Sequence, residues 1–189
     1  NDYIRERSDE EDPFFLCLTY NAPHAPIQPP EQWVRMVKRR EKGISDRRAK
    51  LVALIEHMDH NIGEVIRTLQ NCGLYNDTLV IFSSDNGGKL GADADNGPLR
   101  GGKQQMFEGG LKVPTCATWP GHIRAGSLTD QVALTMDLVP TLCRVAGADV
   151  PPDIDGRSIL PEMLGEDMPQ FDRTLCWMRK EGHRYEGKT

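Results

Sequence analysis

The sequence has no apolar run approaching the roughly 20 residues that a helix needs to cross a bilayer, so no helical membrane span is expected. It has no excess of positive charge: 28 acidic against 23 basic residues leave a net charge of −5. Nucleic-acid binding is usually signalled by a basic face and a high pI, so nucleic acid is not expected as a partner. The one basic cluster, Lys38-Arg39-Arg40 with Lys42, Arg47 and Arg48, lies among acidic residues and reads as a solvated helix face. Close cysteine pairs are also missing. Cys17, Cys72, Cys116, Cys143 and Cys176 are widely spaced, whereas a structural zinc site needs paired thiolates. Cys17 and Cys116 fall inside apolar runs and are expected as reduced core thiols. Neither an initiator Met nor a signal peptide is seen, and Asn1 to Arg7 read as the continuation of a longer chain, so a fragment is expected. Aromatic residues reach only 6%, but 38% hydrophobic and 27% charged residues are the composition of a globular domain.

Local patterns then divide the chain. Phe14 to Tyr20 is a short apolar run, the signature of a buried strand, and it ends at Asn21-Ala22-Pro23-His24-Ala25-Pro26. The prolines there force a rigid loop. Leu51, Leu54, Ile55, Met58, Ile62, Val65, Ile66 and Leu69 recur every three or four residues, which predicts an amphipathic helix from about Asp46 to Cys72. Ser45 or Asp46 can cap its start, and Gly73 can close its end. Thr78 to Ser83 is β-branched and predicts a second strand, followed by Ser84-Asp85-Asn86-Gly87-Gly88 and a Gly-rich loop reaching about Gly110. A loop of that length in a compact domain is usually functional. Val113 to Trp119 predicts a third strand and Val132 to Thr135 a short fourth. Asp137 is placed to cap a helix over 138–146. A short helical piece is expected near Ile159 to Leu164, and another strand at Arg173 to Trp177. Strands alternating with helices predict an α/β fold with a mixed, largely parallel sheet flanked by helices. In such sheets ligands bind outside the carboxyl ends of the strands, so both polar loops are expected on one sheet edge.

Those loops hold the residues with chemistry. Asp85 and Asn86 offer a carboxylate and an amide oxygen side by side, hard donors that suit Ca²⁺ or Mg²⁺ better than zinc. Two donors do not fill a calcium shell of about 6–8 oxygens. Asp93 and Asp95 are the other acidic candidates nearby. His24, held between prolines, suits hydrogen bonding to an oxyanion or proton transfer. Arg100-Gly101-Gly102-Lys103 places two cations around glycines, suited to stabilising an anionic centre. Glu108 is positioned in sequence to pair with Lys103 or Arg100.

Each of these signals also has a plain structural explanation, as a turn, a loop or a surface group. Their order is more specific. Asn21 to Pro26, Glu56-His57-Met58-Asp59-His60-Asn61-Ile62-Gly63, Ser84 to Gly88, Pro98 to Lys103 and Glu108-Gly109-Gly110 resemble successive blocks of a type I sulfatase. Trp119-Pro120-Gly121 and the segment from Asp137 to Leu142 fit the same order. The resemblance runs from about residue 12 to 165. It implies an alkaline-phosphatase-like fold, here incomplete, with residues 1–165 in the C-terminal part of a catalytic domain and 166–189 opening a truncated C-terminal subdomain. It implies metal ligation by Asp85 and Asn86, usually of calcium, and contacts to the sulfate group or bridging oxygen from His24 and Lys103, with Arg100 beside them. It implies a formylglycine nucleophile, made from Cys or Ser in a Cys/Ser-x-Pro/Ala-x-Arg motif. The hydrated aldehyde attacks sulfur, the alcohol leaves, and the sulfated hydrate collapses to aldehyde and sulfate. None of the five cysteines has that context, so the nucleophile and the rest of the metal shell are expected in an N-terminal half of the same domain. The substrate implied is a sulfated small molecule or carbohydrate, and the setting periplasmic, secreted or lysosomal. A phosphonate or phosphodiester hydrolase of the same superfamily, and a non-catalytic sulfatase-like binding module, remain open at this point.

Overall fold

The computed structural model describes residues 1–166 and 173–178, and these fall into two compact units. The first comprises residues 1–75 and 83–115 with Met178; the second comprises 76–82, 116–166 and 173–177.

In the first unit, α1 (Asp2–Arg7), α2 (Glu31–Arg40) and α3 (Asp46–Asn71) supply the frame. The pattern at 51–69 is realised as α3, and the Ser45 hydroxyl accepts the Arg48 N–H at 3.2 Å at its start. Gly73 takes φ 72° just beyond its end, a conformation open to residues without a Cβ. Helix α2 begins with Glu31 and ends with Lys38, Arg39 and Arg40, charges that complement the peptide dipoles. Val34 and Val37, three apart on α2, pack on Ala49 and Ala53, four apart on α3; Trp33, Ile44 and Val52 close the cluster. Burying each valine contributes about 1.5–3 kcal/mol. The basic cluster is largely paired. Lys38 meets Asp46 at 2.5 Å, Arg40 meets Glu56 at 2.5 Å and Glu41 at 2.8 Å, and Arg48 donates to the Asp93 carbonyl at 2.5 Å.

The strand expected at Phe14 to Tyr20 is not formed among the described residues. The segment carries no backbone hydrogen bond with the described residues, and Phe15 is 72% and Leu18 48% exposed. A strand is defined by its neighbour's ladder, and alternation or apolarity in one segment cannot provide that neighbour. Cys17 is therefore exposed rather than buried, as are Cys116 and Cys176, while Cys72 and Cys143 are half-buried; all five are free thiols. A short helix, α4 (Glu108–Leu111), closes the Gly-rich loop.

Strand β1 (Val80–Ser83) pairs with β2 (Thr115–Thr118) in a two-stranded sheet, and the Ser83 and Thr115 hydroxyls meet at 2.9 Å. The helices and this sheet fit an incomplete α/β fold. In the second unit, α5 (Leu138–Val145) packs with α6 (Leu160–Leu164). Residues 132–135 form no strand but lead into a 3₁₀ turn over Thr135–Asp137, and 173–177 have no regular structure. Asp137 does not cap α5. Its fully buried carboxylate instead accepts the Leu134 N–H at 2.7 Å, the Arg157 N–H at 2.8 Å and both terminal nitrogens of Arg173, one of them at 2.8 Å. Thr141 extends this centre, donating to the Asp137 carbonyl at 2.6 Å and accepting the Ile159 N–H at 2.9 Å. Burial opposes the charge on Asp137, but Arg173 and the Arg157 and Leu134 amides outweigh it and hold the carboxyl below the usual carboxylate range. The expected subdomain at 166–189 lies largely outside the described residues. No helix among the described residues is long and apolar enough to cross a membrane.

Candidate active site

The site is assembled where β1 runs out. Ser83 ends the strand and Ser84-Asp85-Asn86 turn away, with the Ser84 hydroxyl donating to the Asn86 carbonyl at 3.1 Å. The Asn86 amide nitrogen donates to the Gly87 carbonyl at 2.9 Å, and its Oδ1 accepts no hydrogen bond from the described residues. The Asp85 carboxylate is exposed and makes no hydrogen bond or ion pair with the described residues. Two oxygen donors thus stand uncommitted on adjacent residues.

The long loop returns against this turn through its backbone. Gly87 donates to the Gly110 carbonyl at 3.0 Å, Gly109 to the Arg100 carbonyl at 2.8 Å, and Lys103 to the Gly88 carbonyl at 3.0 Å. The glycines are required by closeness. A Cβ on Gly87 would stand 1.8 Å from the Gly109 carbonyl oxygen, and one on Gly102 would stand 2.4 Å from that of Gly88. The Asp85-Asn86 turn and the Arg100–Lys103 turn are consequently fixed to each other. The Lys103 side chain is half-buried, and its ammonium has no partner among the described residues. A half-buried lysine without a partner among the described residues, on a turn whose backbone is bonded to the Asp85-Asn86 turn, is an arrangement that folding alone does not call for.

The other candidates have settled differently. Arg100 lies over the Phe107 ring, with its guanidinium carbon 3.9 Å from the ring centroid. Glu108 pairs with Lys112 at 3.2 Å, not with Lys103 or Arg100. Asp93 faces Arg47 at 3.6 Å, and Asp95 accepts the Gly97 N–H at 2.8 Å. His24 is exposed between the cis bonds Ala22–Pro23 and Ala25–Pro26, and its Nδ1 lies 2.9 Å from the Ala25 carbonyl. A carbonyl only accepts, so Nδ1 carries a proton and Nε2 is the other ring nitrogen. No hydrogen bond or ion pair joins His24 to the two turns among the described residues. No group of three His, Cys, Asp or Glu side chains is gathered for a metal among the described residues. The uncommitted oxygens of Asp85 and Asn86 suit a hard cation, and they are part of a shell only.

Residues 1–148 match the sulfatase family model. The chain belongs to the sulfatase family. It is 36% identical over 184 residues to the N-acetylgalactosamine-6-sulfatase of Mus musculus, covering 94% of this chain and 33% of that one. It is 42% identical over 121 residues to the steryl-sulfatase of Rattus norvegicus, covering 59% and 21%. Among solved structures it resembles Ps i-CgsB in complex with k-i-k-neocarrahexaose, with a TM-score of 0.80 and 33% identity over 87% of this chain and 36% of that one. The sulfatase chain therefore spans about a third of the length of the N-acetylgalactosamine-6-sulfatase and about a fifth of that of the steryl-sulfatase.

One participant escaped the sequence reading. Asn96 lies between the two turns and bonds to both, with its amide accepting the Gly88 N–H at 2.8 Å and donating to the carbonyls of Gly88 at 3.0 Å and Gly101 at 2.9 Å. A lone Asn in a Gly-rich stretch reads as a turn residue, and only its position between the two reactive motifs could have marked it.

Proposed function

We propose that this sulfatase chain serves the hydrolysis of sulfate esters of a carbohydrate, as part of a domain with a mixed, largely parallel sheet. The observation that carries the reading is the Lys103-to-Gly88 backbone bond, which ties the residue bearing the Lys103 ammonium to the turn bearing the Asp85 and Asn86 oxygens, all without side-chain partners for those atoms among the described residues. The sugar substrate is supported by the name of the N-acetylgalactosamine-6-sulfatase and by the oligosaccharide in the Ps i-CgsB structure.

In this reading Asp85 and Asn86 hold part of the shell of a calcium ion. When bound, the ion supplies Lewis-acid polarisation of the sulfate oxygens. Lys103 neutralises the charge that grows on those oxygens as the S–O bond breaks. Its half-buried setting strengthens the interaction, because charges attract more where water is excluded. Arg100, braced on Phe107, stands at the same turn as a further anion contact. His24 presents Nε2, which when protonated can hand its proton to the departing alcohol oxygen. No cysteine or serine of the 189 residues stands in the Cys/Ser-x-Pro/Ala-x-Arg context. The formylglycine is accordingly expected from a segment outside these 189 residues, and the setting is secreted, periplasmic or lysosomal.

The test compares an aryl sulfate, a 6-sulfated amino sugar and an aryl phosphonate monoester as substrates of the intact enzyme. Sulfate release from the first two is expected. Turnover of the phosphonate with none of either sulfate would overturn the reading. The 189-residue chain alone should be inactive on all three, because a covalent route needs its nucleophile.

A further inference from the structure

We propose that Asn96 is a positioning residue for catalysis, an amide clamp that sets the spacing between the Asp85-Asn86 turn and Lys103. The proposal rests on the sulfate-ester reading for its catalytic meaning and on the geometry alone for the clamp.

The placement is nearly symmetric. Gly88 lies two residues after Asn86, and Gly101 lies two residues before Lys103. Asn96 grips Gly88 at both its N–H and its carbonyl, and with its second amide hydrogen it holds the Gly101 carbonyl. The Gly88 carbonyl thus accepts two bonds, from Asn96 and from the Lys103 N–H. The fit around the amide is close: a Cβ on Gly88 would stand 3.0 Å from Asn96 Oδ1, and one on Gly102 would stand 2.9 Å from its Nδ2. Few other side chains can replace it. Accepting one N–H while donating to two carbonyls requires both halves of a carboxamide at short reach. Aspartate has nearly the same shape but turns an anionic oxygen toward two carbonyl oxygens. Alanine leaves the two turns joined at this level by the Lys103-to-Gly88 bond. A displacement of about 1 Å in an active site can cost about 10²-fold in rate, and outer-shell partners of metal ligands typically contribute 10–100-fold.

The experiment uses the intact enzyme and compares Asn96→Asp and Asn96→Ala with the parent at a temperature well below melting. Calcium chloride is titrated while an aryl sulfate is turned over, and amide hydrogen exchange is followed at Gly88 and Lys103. Both variants should lose about 10–100-fold in kcat, with KM moving by less than about threefold, and need more calcium for half activity. Exchange at the Gly88 and Lys103 amides should speed up together. A residue that only stabilises the fold would lower the melting temperature and leave kcat per folded molecule and the calcium requirement alone, which would overturn the proposal. So would unchanged exchange at both amides, or failure of both variants to fold. If the parent itself released no sulfate from any ester, the function would fail, and the exchange result would still decide whether the clamp exists.

Discussion

Lys103 is the residue at which a catalytic and a plain structural role differ most. A lysine that merely solvates a loop would be fully exposed and replaceable, and such surface substitutions stay within about ±0.5 kcal/mol. Here the backbone of Lys103 is bonded into the glycine knot, and its side chain is half-buried without a counter-charge among the described residues. Removing one fixed charge from beside a developing anion typically costs about 10²–10³ in rate. Lys103→Ala in the intact enzyme is therefore expected to lose about that much turnover while melting near the parent. Less than a twofold loss at unchanged stability would remove Lys103 from the chemistry. Gly87 provides a structural counterpart. A methyl group there would overlap the Gly109 carbonyl, where backbone, not a flexible side chain, is in the way. Gly87→Ala should spring the knot and lose activity together with local protection from amide exchange, even though it removes no polar group. An active Gly87→Ala enzyme with unchanged exchange would show that the two turns do not need each other.

At the scale of elements, the sequence was most informative where one segment determines its own conformation. Helix α3 was legible because 3.6-residue periodicity, the Ser45 cap and Gly73 are all local. Helix α5 was legible for the same reason, with Gly147 at φ 65° beyond it. The Asp85-Asn86 and Arg100–Lys103 blocks were legible as motifs, but their joining was not, since it depends on backbone bonds between Gly88 and Lys103 and between Arg100 and Gly109. Asp137 shows how a correct local expectation can be displaced. A helix cap and an ion-pair acceptor want the same residue at the same place, and Arg173, 36 positions away, left no trace in the local pattern. The Asp137 carboxylate is held low by Arg173 and two amides. A depressed carboxyl adds stability above the unfolded-state value of about 3.9 and loses it as the pH falls through the lower folded value. The second unit should consequently melt lower as the pH falls below about 4. Asp137→Asn should destabilise it at neutral pH, because the buried carboxylate that accepts the Leu134, Arg157 and Arg173 N–H groups loses its charge. The variant should also show a flatter acid limb. Parallel acid limbs for parent and variant would mean that the pair does not govern acid stability.

For the molecule as a whole, one stretch gathers several exposed apolar side chains in neighbouring positions. Phe14 to Tyr20 is mostly apolar, has no regular structure and makes no backbone hydrogen bond among the described residues. Phe15, Leu16, Leu18 and Tyr20 are all exposed, at 72%, 37%, 48% and 41%. Such a segment presents N–H and C=O groups without backbone partners among the described residues, beside side chains that water solvates poorly, the combination that recruits another strand. Sulfatase relatives about three times as long have the sequence to supply one. No strand among the described residues pairs with this segment, so the 189-residue chain by itself should find one in a second copy. At about 100 μM, within the range where exposed strand edges associate, the isolated chain is expected to elute as oligomers and to bind a hydrophobic dye. Phe15→Lys with Leu18→Lys places one charge on each face and should restore a monomer without lowering the melting of the α2–α3 core, whose contacts lie elsewhere. Charge is an effective guard on an edge because pairing would bury it or set it against its own copy. A monomeric parent chain at that concentration, or a double variant that still associates, would show that residues 14–20 are not the adhesive surface and that the exposed apolar groups elsewhere, such as Leu128, must be considered instead.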